Sequence, residues 1–236
     1  LTGDLTHWAE PKAYESLREC LSPMIVPLRV IIGNHDARDE MSRWFPEQRL
    51  DENGFFQSVE DFSAGRFLFL DTHEPGKHEG HYCEKRLDWL ERQLADSGKS
   101  SLFLFMHHPP FDIRHPTLDR IGLVAKEAFT RTVRPHCGRI RHLFFGHIHR
   151  PLSGHWLGIS MSSLRGINHQ VWLDFEESGN LPFSFEPPAY SVVLIGKEEL
   201  IVHTHDFMDE SPKFNVQTCK VRDWAYRKPG DSVKIC

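Results

Sequence analysis

Hydrophobic positions in residues 1–150 recur at helical spacing in three separate segments. In the first segment, Tyr14, Leu17 and Leu21 lie three or four residues apart, and Pro11 suits the first turn of a helix. This helix should end before Pro23, because a proline cannot continue the hydrogen-bonding pattern of a helix. The same spacing predicts two more helices, around residues 87–94 and around residues 121–129.

Short apolar runs lie between these helices and predict strands. Each buried run stops at a glycine or a polar side chain, which is typical of a strand that leads into a tight loop. Two further runs, separated by Ser63, Ala64 and Gly65, predict an antiparallel hairpin. The buried strands are predicted at residues 28–32, at Leu102–Met106 and at residues 143–145, and the hairpin arms at residues 55–62 and 66–70. This alternation of strands and helices indicates an α/β fold.

The pattern changes from Trp156 onward. Four strand candidates follow one another without a clear intervening helix, which predicts a meander or a second sheet. They are residues 156–161 and 169–175, Tyr190–Ile195 and Leu200–His205. Since no repeat or long linker divides the chain, we predict one domain over residues 1–205. Residues 206–236 have weak periodicity and are predicted to form a C-terminal arm that is a candidate oligomer contact.

Composition and charge narrow the range of partners. The 236 residues carry a formal charge of -5 from 28 basic and 33 acidic side chains, with no basic stripe of the kind that binds nucleic acid or anionic membranes. We therefore expect a small-molecule ligand, no nucleic-acid duplex and no membrane, with a homo-oligomer as an open alternative. Five cysteines without a C-x-x-C pair argue against a disulfide framework, and no apolar run reaches membrane-spanning length. A cytoplasmic protein fits these features best.

Potential metal ligands follow the apolar runs at four places. Loops beyond the carboxyl ends of strands converge over one edge of an α/β sheet, so we expect these side chains to meet. Carboxylate, amide and imidazole donors without thiolate suit Zn, Mn, Fe or Co. Each segment alone could be an ordinary polar turn, and it is their joint occurrence that favours a metal site. The side chains concerned are those of Asp4, Asn34, His35, His107, His147 and His149.

Other histidines have simpler interpretations. His108 follows His107 directly and is expected to support its loop by hydrogen bonding. His73, His78 and His81 form a histidine-rich segment, for which a solvated loop is the first interpretation and the lining of a substrate entrance is the alternative.

The four segments, in this order, resemble the signature blocks of the calcineurin-like metallophosphoesterases over residues 1–150. The blocks are Gly3-Asp4, Gly33-Asn34-His35-Asp36, His107 and Gly146-His147-x-His149. The resemblance implies a four-layer α-β-β-α sandwich of two mixed sheets flanked by helices, with two divalent metal ions.

The resemblance also implies roles for individual residues. Asp4 would bridge the two metals, Asn34, His107 and His147 would complete one metal site, and His149 would belong to the other. His35 would contact the phosphate and assist the leaving group without binding metal, and Asn34 and His149 would also contribute to substrate binding. Asp36, next to His35 in the sequence, is a candidate to orient the His35 ring.

One family block does not occur in the sequence. The family opens with an Asp-x-His pair on its first strand, and no such pair precedes Asp4. We expect the natural chain to begin earlier and to include this pair. The alternative is that the protein lacks half of one metal site.

Within the superfamily, His107-His108-Pro109-Pro110 and the preceding helix are most similar to class III cyclic-nucleotide and glycerophosphodiester phosphodiesterases. This similarity implies hydrolysis of a small soluble phosphodiester, a 3',5'-cyclic nucleotide or a glycerophosphodiester, by attack of a metal-bridging hydroxide. A phosphomonoesterase or nuclease on the same scaffold is one alternative. A non-catalytic interaction protein of the same fold is another.

Overall fold

Six strands form a mixed sheet at the centre of the computed structural model, which describes residues 1–176 and 179–211. The strands are β1 (Ser58–Phe62), β2 (Gly65–Phe69), β3 (Leu102–Met106), β4 (Ile140–Phe145), β5 (Leu152–Trp156) and β6 (Ile159–Ser163). Their order across the sheet is β1-β2-β3-β4-β6-β5. The four inner strands run parallel, and the two outer strands β1 and β5 pair antiparallel with their neighbours.

The buried apolar side chains form two hydrophobic cores, and helices contribute to both. They are α1 (Pro11–Leu21), α2 (Arg38–Trp44), α3 (Glu84–Ala95), α4 (Pro116–Arg120) and α5 (Lys126–Val133), the last followed by a 3-10 helix at Arg134–Arg139. The larger core joins Leu90 of α3 and Phe129 of α5 to Leu104 of β3 and Leu143 of β4. The smaller core groups buried side chains of α1 and α2 with those of residues 28–32. Burying these apolar faces is the main force that holds the helices in place.

Four short strands lie outside the central sheet. They are β7 (Gln170–Val171), β8 (Phe183–Ser184), β9 (Tyr190–Ile195) and β10 (Leu200–His205). They form two antiparallel pairs, β7 with β8 and β9 with β10. The predicted bounds of β3, β9 and β10 are confirmed, as are α1, α3 and the β1–β2 hairpin.

The segment at residues 28–32 is buried as predicted but is not a regular strand, so this prediction is wrong in part. The Leu1 N–H donates to the Arg29 carbonyl at 2.8 Å, and the Ile31 N–H donates to the Leu1 carbonyl at 2.9 Å. On its other side, the Gln48 side chain accepts from the Val30 N–H at 3.2 Å. A strand is defined by a backbone ladder, and here a side chain replaces part of it.

The helix predicted around residues 121–129, closing near Pro135, is wrong only at its start, since α5 begins at Lys126. Residues 121–125 separate α4 from α5, because the chain extends there to meet the loop at Gly80. The Gly80 N–H donates to the Gly122 carbonyl at 3.1 Å, and the Val124 N–H donates to the Gly80 carbonyl at 2.8 Å. These long-range hydrogen bonds replace those that a continuous helix would make.

Two C-terminal strand predictions need correction, and the short helices α2 and α4 were missed. The predicted strand at residues 156–161 spans the turn between β5 and β6, where Leu157 and Gly158 have φ values of 54° and 79°. Positive φ at both central residues is typical of two-residue hairpin turns. Within the candidate at residues 169–175, only β7 is a strand. Helix α2 has seven residues, too few for a periodic pattern to be visible.

The predicted α/β class is confirmed by the mixed sheet with flanking helices. Regular strands of the described residues form one large sheet and the two small pairs. The division into a domain at residues 1–205 and an arm at residues 206–236 stays a prediction, since residues 212–236 lie outside the described part of the chain.

Candidate functional site

The carboxyl ends of β3 and β4 place two histidine-bearing loops side by side. The parallel register of these strands extends to Met106 and Phe145, so His107 and Gly146 follow at the same level. The Gly146 N–H donates to the His107 carbonyl at 3.1 Å, which continues the ladder by one bond. The loops that contain Asp4 and Asn34 reach the same edge of the sheet. The four predicted segments therefore meet.

Four of the predicted ligands form one compact polar cluster. The Nε2 atom of His107 lies 3.1 Å from Oδ2 of Asp4 and 3.1 Å from Oδ1 of Asn34. The Nδ1 atom of His147 lies 3.0 Å from the same Asn34 oxygen. One carboxylate oxygen, one amide oxygen and two ring nitrogens thus face one another. This is the donor set that the sequence predicts for one metal site.

The tautomer of His107 follows from its second nitrogen. His107 Nδ1 lies 2.6 Å from the carbonyl oxygen of Thr2, and a carbonyl oxygen only accepts, so Nδ1 carries the proton. In the neutral ring, Nε2 then offers a lone pair to Asp4 and Asn34, whose oxygens also offer lone pairs. Three lone pairs that point at one another require a proton or a cation between them.

The charges of Asp4 and His107 are coupled. Burial alone lowers the pKa of His107, but the Asp4 carboxylate outweighs burial and holds that pKa above its usual value. Burial likewise raises the pKa of Asp4, but the charge and hydrogen bond of His107 hold that pKa well below its usual range. Burial, reinforced by the charge of His107, lowers the pKa of His147 to about 3. The site therefore holds its carboxylate ionised and His147 neutral, as metal ligation requires.

Backbone strain is concentrated at the predicted ligands. Asp4, His147 and His149 have φ values of 53°, 66° and 48°, in the left-handed region that non-glycine residues seldom adopt. Such conformations cost on the order of 1–3 kcal/mol each and persist only where the surrounding structure requires them. At His147 the strained backbone places Nδ1 in the cluster, while Nε2 is buried without a hydrogen-bond partner among the described residues.

Two glycines allow the loops to approach each other. A Cβ atom on Gly33 would lie 2.2 Å from the Asp4 nitrogen, and one on Gly3 would lie 2.4 Å from Nδ1 of His107. Gly3 also has a φ of 94°. Both positions therefore require glycine for the ligand-bearing loops to meet.

His35 lies beside the cluster and is held at two points. Its backbone N–H donates to Oδ1 of Asp4 at 3.0 Å, and its ring Nδ1 donates to the carbonyl oxygen of His7 at 2.8 Å. The rings of His7 and His35 stack with centroids 4.9 Å apart. The ring contributes no atom to the hydrogen-bonded cluster, in keeping with its predicted role outside the metal sites.

Asp36 does not orient the His35 ring, so this hypothesis is wrong. The buried Asp36 carboxylate accepts from the N–H groups of Leu5 at 3.0 Å and Gly33 at 2.9 Å, and from the hydroxyl of Tyr14 at 3.0 Å. It joins the Asp4 loop to the Asn34 loop. The Asp36 carboxylate is thus occupied by two backbone N–H groups and the Tyr14 hydroxyl, and the His7 carbonyl orients the His35 ring instead.

His149 lies outside the hydrogen-bonded cluster. Its Nδ1 lies 3.1 Å from the carbonyl oxygen of His169, so Nδ1 carries the proton and Nε2 keeps its lone pair. Its pKa is lowered, mainly by burial.

His108 is buried next to His107 and His147, and ring nitrogens of the three lie within 4.8 Å of one another. His108 Nε2 donates to the His78 carbonyl at 3.0 Å, and its Nδ1 accepts from the Thr72 hydroxyl at 2.7 Å. Both nitrogens are therefore engaged, which leaves no lone pair for a metal. These bonds fit the predicted role of His108 in loop support.

The histidine-rich segment is divided by the fold. His73 is buried, contrary to a solvated loop, whereas His78 is exposed. The His78 Nδ1 lies 3.5 Å from the Asn34 side-chain nitrogen, and its ring centroid lies 5.7 Å from that of His35. The alternative, a loop that lines the entrance, describes His78 better.

The sequence analysis missed the carbonyl groups of Thr2, His7 and His169, which set the tautomers of three histidines. No sequence signal could identify them, because every residue carries a carbonyl group. None of the described helices has the length and apolar character that crossing a bilayer requires.

Proteins similar to this chain are named as phosphodiesterases or as a phosphatase. A probable cyclic nucleotide phosphodiesterase of Rhodopseudomonas palustris is 39% identical over 92% of this chain and 80% of its own length. A probable glycerophosphodiester phosphodiesterase of Arcobacter nitrofigilis is 32% identical over 86% of this chain and 75% of its own length. A dimetal phosphatase structure from Danio rerio matches the fold with a TM-score of 0.54 and 16% identity, over 66% of each chain.

The calcineurin-like phosphoesterase family model matches residues 1–151, the part of the chain that contains all the predicted site residues. The prediction of a hydrolytic enzyme is thereby confirmed, in preference to a non-catalytic protein of the same fold. From its ligand-bearing loops, its sheet and these relatives together, the chain belongs to the calcineurin-like phosphoesterase family.

Proposed function

We propose that this chain hydrolyses a small soluble phosphodiester, a 3',5'-cyclic nucleotide or a glycerophosphodiester, at the cluster of Asp4, Asn34, His107 and His147. The observation that carries the proposal is the meeting of one carboxylate oxygen, one amide oxygen and two ring nitrogens at 3.0–3.1 Å. Relatives named for both substrate classes support the choice of a diester.

The donor set fits divalent metal ions. Oxygen and imidazole donors without thiolate suit Mn, Fe, Zn or Co, and the clash of lone pairs at His107 Nε2 is relieved by a cation. Asp4, Asn34, His107 and His147 would hold one ion. Asp4 and His149, with its free Nε2, would contribute to a second.

When bound, two such ions supply Lewis acidity and a water molecule of lowered pKa as the nucleophile. The chain itself positions the substrate through Asn34, His35 and His149. The Nδ1–H of His35 is held by the His7 carbonyl, so His35 can give a proton to the leaving alkoxide from Nε2 when the ring is in its imidazolium form, and it returns to the neutral ring with its proton on Nδ1. A well-placed acid of this kind contributes about 100- to 10,000-fold to the rate.

Turnover of bis(p-nitrophenyl) phosphate with added Mn or Zn tests this proposal. The wild type is expected to hydrolyse the diester, and Asn34→Ala and His107→Ala are each expected to lose at least about 100-fold in kcat. His155→Ala, at an exposed position of β5, serves as the matched control. Turnover at the wild-type rate in both site variants would contradict the proposal.

Monoester and nucleic-acid substrates separate the alternatives on the same scaffold. We expect diester turnover to exceed that of p-nitrophenyl phosphate. The acidic balance of the chain weighs against a nuclease, because duplex binding depends on neutralising phosphates with Lys and Arg. Elemental analysis of the purified protein is expected to approach two metals per chain.

A further inference from the structure

Trp8 is a large exposed side chain close to the site. Its residue is 68% exposed, and it lies four positions after Asp4. The loop around it is held by hydrogen bonds, since the Trp8 N–H donates to the Glu10 carboxylate at 3.0 Å and the Ala9 N–H donates to the Thr6 hydroxyl at 3.0 Å. The backbone of Ala9 has a φ of 53°. The indole is therefore presented to solvent on an ordered loop.

The rings of His7, Trp8 and His35 form one aromatic group, which we call the aromatic shelf. Trp8 meets His7 edge to face with centroids 4.5 Å apart, and its centroid lies 6.0 Å from that of His35. The His7 ring stacks on the His35 ring, and the backbone carbonyl of His7 accepts a hydrogen bond from Nδ1 of His35. The shelf is thus joined directly to the residue that would contact the phosphate.

A second aromatic group lies on the side of His149. The His169 ring packs on His149 with centroids 4.6 Å apart, and Phe183, which is 61% exposed, meets His169 edge to face at 4.8 Å. Aromatic rings therefore lie beside His149 as well as beside His35.

Exposed aromatic rings beside a phosphate position favour a substrate with a ring of its own. Stacking a nucleobase on an aromatic side chain is a sequence-tolerant interaction that every base can make. A glycerol or an amino-alcohol group has no π-face and gains little from such a surface. The organic group of a diester is bonded to the phosphate through oxygen, so it must lie close to His35 and its ring neighbours.

We propose that the aromatic shelf, and Trp8 above all, binds the base of a nucleotide substrate and so makes cyclic nucleotides the preferred diesters. This inference rests on the proposed function, because it places the phosphate at His35. Trp8 acts here as a specificity-determining residue and takes no part in the chemical step.

The ratio of kcat/KM for 3',5'-cyclic AMP to kcat/KM for glycerophosphoethanolamine tests the inference. Trp8→Ala is expected to lower this ratio by about 5- to 100-fold, mainly through KM for the nucleotide. Trp8→Phe, which keeps a flat ring, should retain most of the wild-type ratio. Phe62→Ala is the matched control. Phe62 is a half-exposed aromatic residue at the β1–β2 turn, which lies at the amino ends of the parallel strands, whereas the site lies at their carboxyl ends.

Binding provides a second measurement that does not depend on turnover. By titration calorimetry, 5'-AMP should bind the wild type more tightly than glycerol 3-phosphate, and Trp8→Ala should lose this difference. If the wild type hydrolyses no diester but binds 5'-AMP in this Trp8-dependent way, the proposed function fails while base binding by Trp8 stands. Equal binding of the two ligands by the wild type overturns the inference, as does a Trp8→Ala specificity ratio within twofold of wild type.

Discussion

The Nδ1 atom of His107 lies 2.6 Å from the carbonyl oxygen of Thr2, across 105 residues of sequence. This one contact fixes the tautomer of the ring: a carbonyl oxygen can only accept a hydrogen bond, so Nδ1 carries the hydrogen. The lone pair of Nε2 is consequently directed at Asp4 and Asn34. A backbone carbonyl thus decides that His107 turns Nε2, and not Nδ1, toward the cluster.

Metal removal should lower the stability of the protein. A ligand at about 100 times its Kd stabilises the folded state by about 2.7 kcal/mol, which corresponds to a rise in Tm of roughly 5–10 °C for a chain of this size. We expect this rise when Mn is added to chelator-treated protein, followed by thermal unfolding. Asn34→Ala should lose most of the rise, because it removes the oxygen between the two histidine nitrogens. The same Mn-dependent rise in wild type and variant would argue against this metal site.

Acid should destabilise the protein in part through His142, a buried residue of β4. Burial lowers its pKa from 6.5 to about 4 in the folded state, while its Nε2 bonds the Ser162 hydroxyl at 2.8 Å. Between these two pH values the unfolded chain binds more protons than the folded chain. The stability contribution of neutral His142 is therefore complete above pH 6.5 and is lost as pH falls toward 4.

His142→Gln should reduce the pH dependence accordingly. Between pH 7 and pH 4.5 we expect the variant to lose about 2–3 kcal/mol less free energy of unfolding than wild type, measured with urea. His155→Gln, which changes an exposed histidine of β5, is the control and should follow the wild-type profile. If His142→Gln loses as much stability as wild type, the buried ring is not the group that titrates.

Tyr14→Phe should weaken the connection between α1 and the ligand loops. The buried Tyr14 hydroxyl donates to Asp36 at 3.0 Å and accepts from the Ala37 N–H at 3.1 Å. Its removal leaves the Ala37 donor without this partner and withdraws a proton donor from a buried carboxylate, at a cost of about 1–3 kcal/mol. Urea unfolding measures this loss. Tyr190→Phe, at an exposed position of β9, should change stability by less than about 0.5 kcal/mol.

Gly33→Ala should disrupt the approach of the two ligand loops. The new Cβ would lie 2.2 Å from both the nitrogen and Oδ1 of Asp4, so Asp4 or the loop must move. We expect a loss of about 1–3 kcal/mol in unfolding free energy, together with loss of metal-dependent turnover. Gly138→Ala is the control, because nothing lies within 4 Å of a Cβ there. Equal activity and stability in the two variants would show that the loops are not tightly apposed.

The elements that the sequence predicted correctly are those with strong local patterns. Leu102–Met106 has five apolar residues in succession, and α3 has leucines at helical spacing, so local composition is enough to identify both. The break at residues 121–125 could not be predicted, because its cause is pairing with Gly80, about forty residues away. The strand predicted at residues 28–32 was wrong in part for a related reason. The hydrogen-bond partners of this segment are Leu1 and the side chain of Gln48, which are distant in the sequence.

The sequence by itself determined which side chains could carry the chemistry and that they follow strand ends. Asp4, Asn34, His107 and His147 were predicted from spacing and family resemblance, and the parallel register of β3 and β4 explains why strand-end residues meet. Only the tertiary structure decided which atoms face the cluster. The carbonyls of Thr2, His7 and His169 each accept a hydrogen bond from Nδ1 of a histidine, and so fix which ring nitrogen of His107, His35 and His149 faces away. Asp36 accepts hydrogen bonds from backbone N–H groups and not from the His35 ring. Hydrogen bonds to main-chain groups depend on distance and direction in space, and no residue type encodes them.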